Sequence, residues 1–181
     1  MPKIDFVPAS QKEEVSMSSR PAKFLIALAL AFCAVRGKSQ MMSNPYGPPI
    51  GVDTAKKAAA AALDEARKNN WKMAVAVVDP NGDLVYYEKM DNTQLGSAQV
   101  SIGKARSAAR FKRPTKAFQD AVAAGGVGLR VLGLEGAVPL EGGIPIVIDG
   151  KIVGAIGVSG DTSDHDGVCA QAGVNSLNPP K

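Results

Sequence analysis

The single histidine of the chain, His165, lies in a strongly acidic stretch. Asp161, Asp164 and Asp166 surround it, and residues 160–167 read GDTSDHDG. A neutral imidazole is a good ligand for iron, and imidazole with carboxylate suits iron or manganese. The same carboxylates favour the protonated imidazolium, which cannot ligate a metal, and they also suit the positive end of a helix. The pattern predicts a metal site at His165, Asp164 and Asp166, or alternatively an exposed histidine at a helix start.

A second group of charged residues runs from Lys104 to Lys116 and contains six basic and no acidic residues. On a helix, Lys104, Ser107 and Arg110 share one side. One interpretation is a solvated face that also contacts a partner subunit. The other is a clamp for the carboxylates of a cofactor or of a small substrate.

Two tyrosines lie next to each other on a predicted strand. Alternation along the strand sends Tyr86 and Tyr87 to opposite faces of the sheet. Either phenol can ligate iron or stack on a flat ring, although a half-buried tyrosine on a strand is usually structural. Of the two cysteines, Cys33 lies near the amino terminus and Cys169 is predicted to be a small buried residue on the last helix.

The amino-terminal part of the chain differs in composition from the rest. Residues 1–40 contain six basic and three acidic residues, so they carry +3 of the net charge of +4. The nearly neutral remainder argues against nucleic-acid binding. Residues 24–35 (FLIALALAFCAV) form an apolar run, too short to cross a membrane, after Arg20 and Lys23. We expect residues 1–40 to be a leader with a secretory signal (Met17 being a possible true start), and the protein to be periplasmic or extracellular, without a transmembrane span once the leader is removed.

One domain is predicted over residues 51–178, after a flexible linker over residues 41–50 that contains SNPYGPP. Asp53 or Thr54 is expected to cap the first helix. Asp149-Gly150 between two apolar runs is typical of a type I′ hairpin. In order, the predicted elements are a helix to Lys68, strands Trp71–Val78 and Asp83–Met90, a helix Ser97–Phe111, a short helix capped by Thr115 that ends at Gly125-Gly126, an irregular connection Val127–Leu140, strands Ile144–Ile148 and Lys151–Val158, and a helix to Leu177.

Two hairpins joined through helices indicate an α+β fold, in which helices pack on a small antiparallel sheet. The strand Trp71–Val78 is almost entirely apolar, so we expect it to be covered on both faces. Gly154 and Gly157 occupy positions where strand side chains would project. They predict the close approach of a helix or a ligand.

Five motifs in this order and spacing resemble the HbpS/GlcG family, whose members are also labelled haem-degrading or haem-binding domains. The resemblance covers the domain from about Ala55 to Leu177 and implies an α/β sandwich of the roadblock/profilin type. It also implies homo-oligomers built from dimers, often octamers. The motifs are Val75–Asp91 (VAVVDPNGDLVYYEKMD), Lys104–Ala109 (KARSAA), Arg113–Thr115, Leu140–Ile146 (LEGGIPI) and Asp149–Gly160 (DGKIVGAIGVSG).

The resemblance implies an exported, oligomeric haem- or iron-binding protein rather than an enzyme. Lys104 lies in the family's KA motif, and His165 stands where relatives more often carry Gln or Glu. An alternative is an enzyme or metabolic accessory protein that acts on a small hydroxy acid or a diol-derived substrate, and a third is a module that works by assembly alone. The residues predicted to bind haem or a small carboxylate are His165, Lys104, Arg110, Asp161, Thr162 and Tyr87.

Overall fold

The structure, a computed structural model, describes residues 42–177. The predicted leader lies outside the described residues. Within residues 42–177, none of the helices combines the length and the apolar character needed to cross a membrane.

The described chain contains four α-helices, one 3₁₀ helix and four strands. In chain order they are α1 (Val52–Lys68), β1 (Ala74–Val78), β2 (Leu84–Lys89), α2 (Ser97–Phe111), α3 (Lys116–Ala123), the 3₁₀ helix (Gly126–Gly133), β3 (Gly143–Ile148), β4 (Lys151–Ser159) and α4 (Ser163–Leu177).

The four strands form one antiparallel sheet in the order β2-β1-β4-β3. The two predicted hairpins therefore lie side by side, and β1 pairs with β4 between them. All five residues of β1 are buried, because α1 and α4 cover one face of the sheet and α2 covers the other. The predicted α+β fold, with helices packed on an antiparallel sheet, is confirmed.

Two glycines facing each other across β3 and β4 form a notch for α2. Gly143 pairs with Gly157. A Cβ on Gly143 would clash with the backbone of Lys104, and a Cβ on Gly157 would clash with the backbone of Ser101. The helix backbone thus rests directly on the strands, and the predicted approach of a helix at Gly157 is confirmed. Gly154 instead faces the backbone of the neighbouring strand β1.

The β3–β4 hairpin turns as the sequence predicts. Asp149 and Gly150 have φ angles of 49° and 73°, the left-handed pair that a type I′ turn requires. Further along, the pairing shifts by one residue, since Ile146 pairs with Gly154 and the next residue pairs with Ile152. Val153 is therefore an extra residue in β4, a β-bulge that the sequence did not predict.

Two element starts and one helix cap differ most from the predictions. Helix α1 begins at Val52, at least two residues earlier than a cap at Asp53 implies, with Gly51 at the N-cap and no side-chain capping bond, so Asp53 lies in its first turn. Strand β1 begins at Ala74 and leaves Trp71 outside the sheet. Thr115 occupies the N-cap of α3, as predicted, but its side chain makes no capping bond; its hydroxyl instead accepts a hydrogen bond from the N–H of Gly143 at 2.9 Å.

Residues 42–50, part of the predicted linker, lie against the sheet. Tyr46 forms a parallel bridge to Ile152, and the N–H of Ile50 donates to the carbonyl of Val153 at 2.8 Å. The phenol of Tyr46 also donates to the carbonyl of Ala109 at 3.0 Å. This segment thus pairs with the first half of β4, where β1 has no residues to pair.

Candidate functional site

A lysine and an aspartate from opposite faces of the sheet form a buried ion pair. Lys104 lies on α2 at the glycine notch, and Asp166 lies in the first turn of α4. The Lys104 Nζ is 2.6 Å from Asp166 Oδ2 and donates to the carbonyl of Val158 at 3.1 Å. Only 1% and 2% of these two residues are exposed. A side chain at Gly142 would meet both partners, so a glycine there leaves room for the pair.

Burial dominates the electrostatics of this pair. It lowers the pKa of Lys104 and raises the pKa of Asp166, and in each case the attraction between the partners opposes the shift without cancelling it. Both groups are enclosed and bound to each other. Lys104 is therefore not presented to solvent as an anion clamp, and Asp166 is not presented as a metal ligand.

The ring of His165 is held from two sides at the start of α4. It stacks on Trp71, with ring centroids 3.9 Å apart and planes inclined by 13°. Its Nδ1 is 3.1 Å from Asp161 Oδ1. Hydrogen bonds from the N–H of Thr162 and from His165 lower the pKa of Asp161. Because an ionised carboxylate only accepts hydrogen bonds, Nδ1 carries a proton, and in the neutral form of the ring the free lone pair is on Nε2.

Thr162 has a structural part in this arrangement. Its N–H donates to Asp161 Oδ1 at 2.7 Å, and its hydroxyl accepts a hydrogen bond from the backbone N–H of His165 at 3.4 Å. Asp161, Thr162 and His165 are thus brought together, as the sequence predicts. The turn that joins them fixes the ring at the helix start.

The predicted metal set is not assembled. Within residues 42–177, no three His, Cys, Asp or Glu side chains are close enough together to hold a metal ion. Asp166 points to Lys104, whereas His165 points to Asp161 and Trp71, and Asp164 is exposed. The acidic residues next to the histidine in sequence thus lie around the first turn of α4 and point in different directions, so they do not surround one metal site.

The other basic residues of α2 hold the β1–β2 turn. The Nε of Arg106 donates to the carbonyl of Gly82 at 2.9 Å, and the Nε of Arg110 donates to the carbonyl of Asn81 at 2.8 Å. Arg110 is therefore not gathered with Lys104 into one clamp. Its contacts position the turn.

The predicted tyrosine lies on the other side of the sheet from the histidine. Tyr87 packs with the small apolar core between the sheet and α2. Trp71, on which His165 stacks, packs with the larger core on the opposite face. Cys169 is fully buried in that larger core, where burial raises the pKa of its thiol to about 12. The prediction of a small buried cysteine is confirmed.

A cavity of about 750 Å³ lies between α3 and the 3₁₀ helix. Its wall includes the apolar side chains of Phe118, Val131 and Leu134. Two guanidinium groups, from Arg113 and Arg130, also line it, and Arg113 lies over the Phe118 ring at 5.3 Å. The sequence predicts an irregular connection over Val127–Leu140, and the 3₁₀ helix occupies the first part of it.

The sequence did not predict a role in a site for two residues, Trp71 and Glu141. Trp71 is the only tryptophan of the chain, which could have drawn attention to it, but the apolar residues next to it predicted a strand instead. Glu141 lies in the LEGGIPI motif next to a second cavity, and a single glutamate in a loop gives no local signal. Both acquire their roles from contacts with α4.

Three comparisons place the chain among known proteins. The protein GlcG of Escherichia coli K12 is 42% identical over 100 residues, which cover 55% of this chain and 73% of GlcG. The crystal structure of the Klebsiella pneumoniae protein ORFY superposes with a TM-score of 0.68 at 28% identity and covers 79% of this chain and all of ORFY. A haem complex of PduOC shares the fold with a TM-score of 0.65 at 24% identity and covers 72% of this chain and 96% of PduOC.

The family described as haem degrading protein HbpS-like matches residues 50–175, which is most of the chain. This span contains every described helix and strand except the last two residues of α4. The chain therefore belongs to the HbpS-like family, which also includes GlcG.

Proposed function

We propose that this protein binds haem and that Nε2 of His165 is a ligand of the iron. The observation that carries the proposal is the ring of His165, which Asp161 and Trp71 hold in place while no hydrogen bond from residues 42–177 reaches its Nε2. A carboxylate that accepts a hydrogen bond from the other ring nitrogen of a ligating histidine orients the ring and raises its basicity. Membership of the HbpS-like family and the shared fold of the PduOC haem complex support the same function.

The residues of the chain fit part of what haem requires. Haem supplies an iron that accepts axial ligands and a porphyrin with an intense absorption band. The Nε2 of His165 is a nitrogen that can ligate iron in the neutral form of the ring, and Asp161 accepts a hydrogen bond from the other ring nitrogen. Lys104 and Asp166 do not fit, because each is enclosed and bound to the other.

Haemin titration of the full chain tests the proposal. We expect a Soret band that shifts on binding and is weakened in His165→Ala. Asp161→Asn should bind about 10- to 100-fold more weakly, since the orienting carboxylate is lost. Asp164→Asn removes a neighbouring exposed carboxylate and should match the wild type. No spectral change with haemin would refute haem binding, and an unaltered titration in His165→Ala would refute the role of His165.

The cavity beside α3 offers a second location for the same ligand. Its apolar wall suits a porphyrin face, and Arg113 and Arg130 suit carboxylates. Arg113→Ala with Arg130→Ala should leave the titration unchanged if His165 holds the iron. Loss of binding in this double variant, with His165→Ala unaffected, would place haem in the cavity instead.

We also propose that the protein is exported and forms homo-oligomers. The apolar run in residues 24–35 supports export. Exposed apolar side chains at Leu95, Val127 and Leu132 support assembly. Cell fractionation tests the first proposal and light scattering of the purified protein tests the second. A cytosolic precursor-sized product and a monomer at high concentration would refute them.

The alternative function, on a small hydroxy acid or diol-derived substrate, needs a pocket of small-molecule size. A cavity of about 380 Å³ next to Glu141 has that size, and the carboxylates around it suit the hydroxyl groups of a diol-derived substrate better than a hydroxy acid. Thermal shifts with small diols and small carboxylates test this alternative. It is refuted if none of them raises the melting temperature.

A further inference from the structure

A second cavity lies where the loop before β3 meets α3 and α4. It has a volume of about 380 Å³, and its polar side chains come from Glu141, Lys116 and Gln171. Pro114, Ile144 and Val168 supply most of its apolar wall. Cavities of about 300–1,000 Å³ that combine an apolar wall with a few polar groups are typical of small-molecule sites.

The carboxylate of Glu141 is ion-paired with Lys116, but one of its oxygens has no hydrogen bond from the described residues. Its Oε2 is buried and has no hydrogen-bond partner in the described chain. The Nζ of Lys116 is 3.5 Å away, which is long for a hydrogen bond, and it lies closer to Asp120, at 3.0 Å. Burial raises the pKa of Glu141, although Lys116 opposes the shift. Buried polar atoms are nearly always paired, so an unpaired carboxylate oxygen indicates a missing donor.

The position of Glu141 is fixed by its surroundings. Its backbone N–H donates to Gln119 Oε1 at 2.8 Å. The following residue, Gly142, has a φ angle of 121°, which an L side chain rarely adopts. On α4, a Cβ at Gly167 would be 2.5 Å from Glu141 Oε1, so the helix leaves room for the carboxylate. Three elements thus place this side chain at the wall of the cavity.

Charges around the cavity select the kind of ligand. Asp164 and Asp120 act on Glu141 as like charges, whereas Lys116 and Lys104 act as opposite charges; Lys104 is already paired with Asp166. This excess of negative charge disfavours an anionic ligand. It favours a neutral or cationic group that donates a hydrogen bond.

We propose that this cavity binds a small molecule through a donor group, a hydroxyl or an ammonium, that hydrogen-bonds Glu141 Oε2. A short apolar body of the ligand packs on Pro114, Ile144 and Val168. The site is separate from His165 and does not depend on haem binding.

Three probes with one carbon skeleton test the proposal on the full chain: propan-1-ol, propylammonium and propionate. We expect chemical-shift changes at Ile144 and Val168 with the alcohol or the ammonium, and none with propionate. Glu141→Gln should weaken propylammonium at least 10-fold and propan-1-ol less, because an amide still accepts a hydrogen bond but carries no charge. The stronger of the two donor probes identifies whether the ligand is an alcohol or an amine.

Matched variants keep the test independent of folding. Glu135→Gln changes an exposed glutamate nearby in sequence and should bind like the wild type. Val168→Phe, at a side chain 47% exposed, fills the cavity without removing the carboxylate and should abolish binding of every probe. Tighter binding of propionate than of both donors, no shifts with any probe, or wild-type affinity in Glu141→Gln would overturn the proposal. Because haemin is not used, failure of haem binding leaves these outcomes unaffected.

Discussion

Replacing Lys104 by methionine removes one charge of the buried pair while keeping an unbranched side chain of similar length. With an effective dielectric constant of about 20, two unit charges 2.6 Å apart attract each other by about 6 kcal/mol. Desolvation of the two ions costs several kcal/mol each, so the two contributions nearly cancel. The intact pair therefore adds little net stability, but either charge alone is strongly unfavourable.

We expect Lys104→Met to lower the free energy of unfolding by about 3–5 kcal/mol at pH 7, because the Asp166 carboxylate stays buried without its cation. Adding Asp166→Asn should restore stability to within about 1 kcal/mol of the wild type. Asparagine removes the second charge and keeps an oxygen for the N–H groups of Gly160 and Asp161 that bond Asp166. Lys89→Met, at an exposed lysine, is the control and should change stability by less than about 0.5 kcal/mol.

The loss in the free energy of unfolding that Lys104→Met causes should depend on pH. Burial raises the pKa of Asp166 and Lys104 lowers it, so loss of Lys104 raises it further. A carboxyl whose folded pKa lies above its unfolded value of about 3.9 stabilises the fold at low pH and loses that contribution as the pH rises through the folded pKa. The deficit should thus be small near pH 4 and grow towards neutral pH.

Urea denaturation followed by circular dichroism, repeated across this pH range, measures all four proteins. Two results would refute the reasoning. One is a double variant as unstable as Lys104→Met, which would mean that packing and not charge is lost. The other is a deficit that does not change between low and neutral pH.

Two further predictions follow from the packing. Gly157→Ala forces a Cβ against the backbone of α2 and should destabilise the fold by about 1–3 kcal/mol. Gly96→Ala is the control and should be neutral, because Gly96 has a φ angle of −62° and open space around it. Equal denaturation midpoints for the two variants would contradict the close packing of α2 on Gly157. The thiol of Cys169, whose pKa is raised to about 12, should resist alkylation at pH 8 in the folded protein and react in urea, as mass spectrometry of its peptide can show; rapid alkylation without urea would contradict its burial.

The sequence predicted elements well where the signal was local. The Asp149-Gly150 turn needs two left-handed residues, and both are found there. The apolar runs on either side of this turn predicted two strands, and each predicted end lies within one residue of the observed end. Helix α2, predicted over Ser97–Phe111, has those bounds. Such features depend on residues that are neighbours in the chain.

The candidate site was harder to predict because its contacts are distant in sequence. Lys104 was placed on an anion-binding face, yet its partner Asp166 lies 62 residues away. No pattern near Lys104 in the sequence shows that Gly142, which has no side chain, leaves room for the Lys104 ammonium to reach Asp166 on α4. Trp71 likewise stacks on a histidine far along the chain, so its apolar neighbours suggested a strand. The approach of His165 to Asp161 was predictable, since residues four apart meet on a helix turn.

The extra residue at Val153 decides which residues of the two strands meet. Next to the turn, Ile148 pairs with Lys151, and that register continued without a bulge would set Gly143 opposite Ile156. The bulge moves the pairing by one residue, so that the two glycines face each other and α2 can approach. If Val153 were paired regularly, the branched side chain of Ile156 would stand opposite Gly143, where the helix backbone must lie, whereas deletion of Val153 would leave the two glycines paired. The bulge thus accommodates one extra residue in β4, so that the turn at Asp149-Gly150 and the glycine notch fit into the same hairpin.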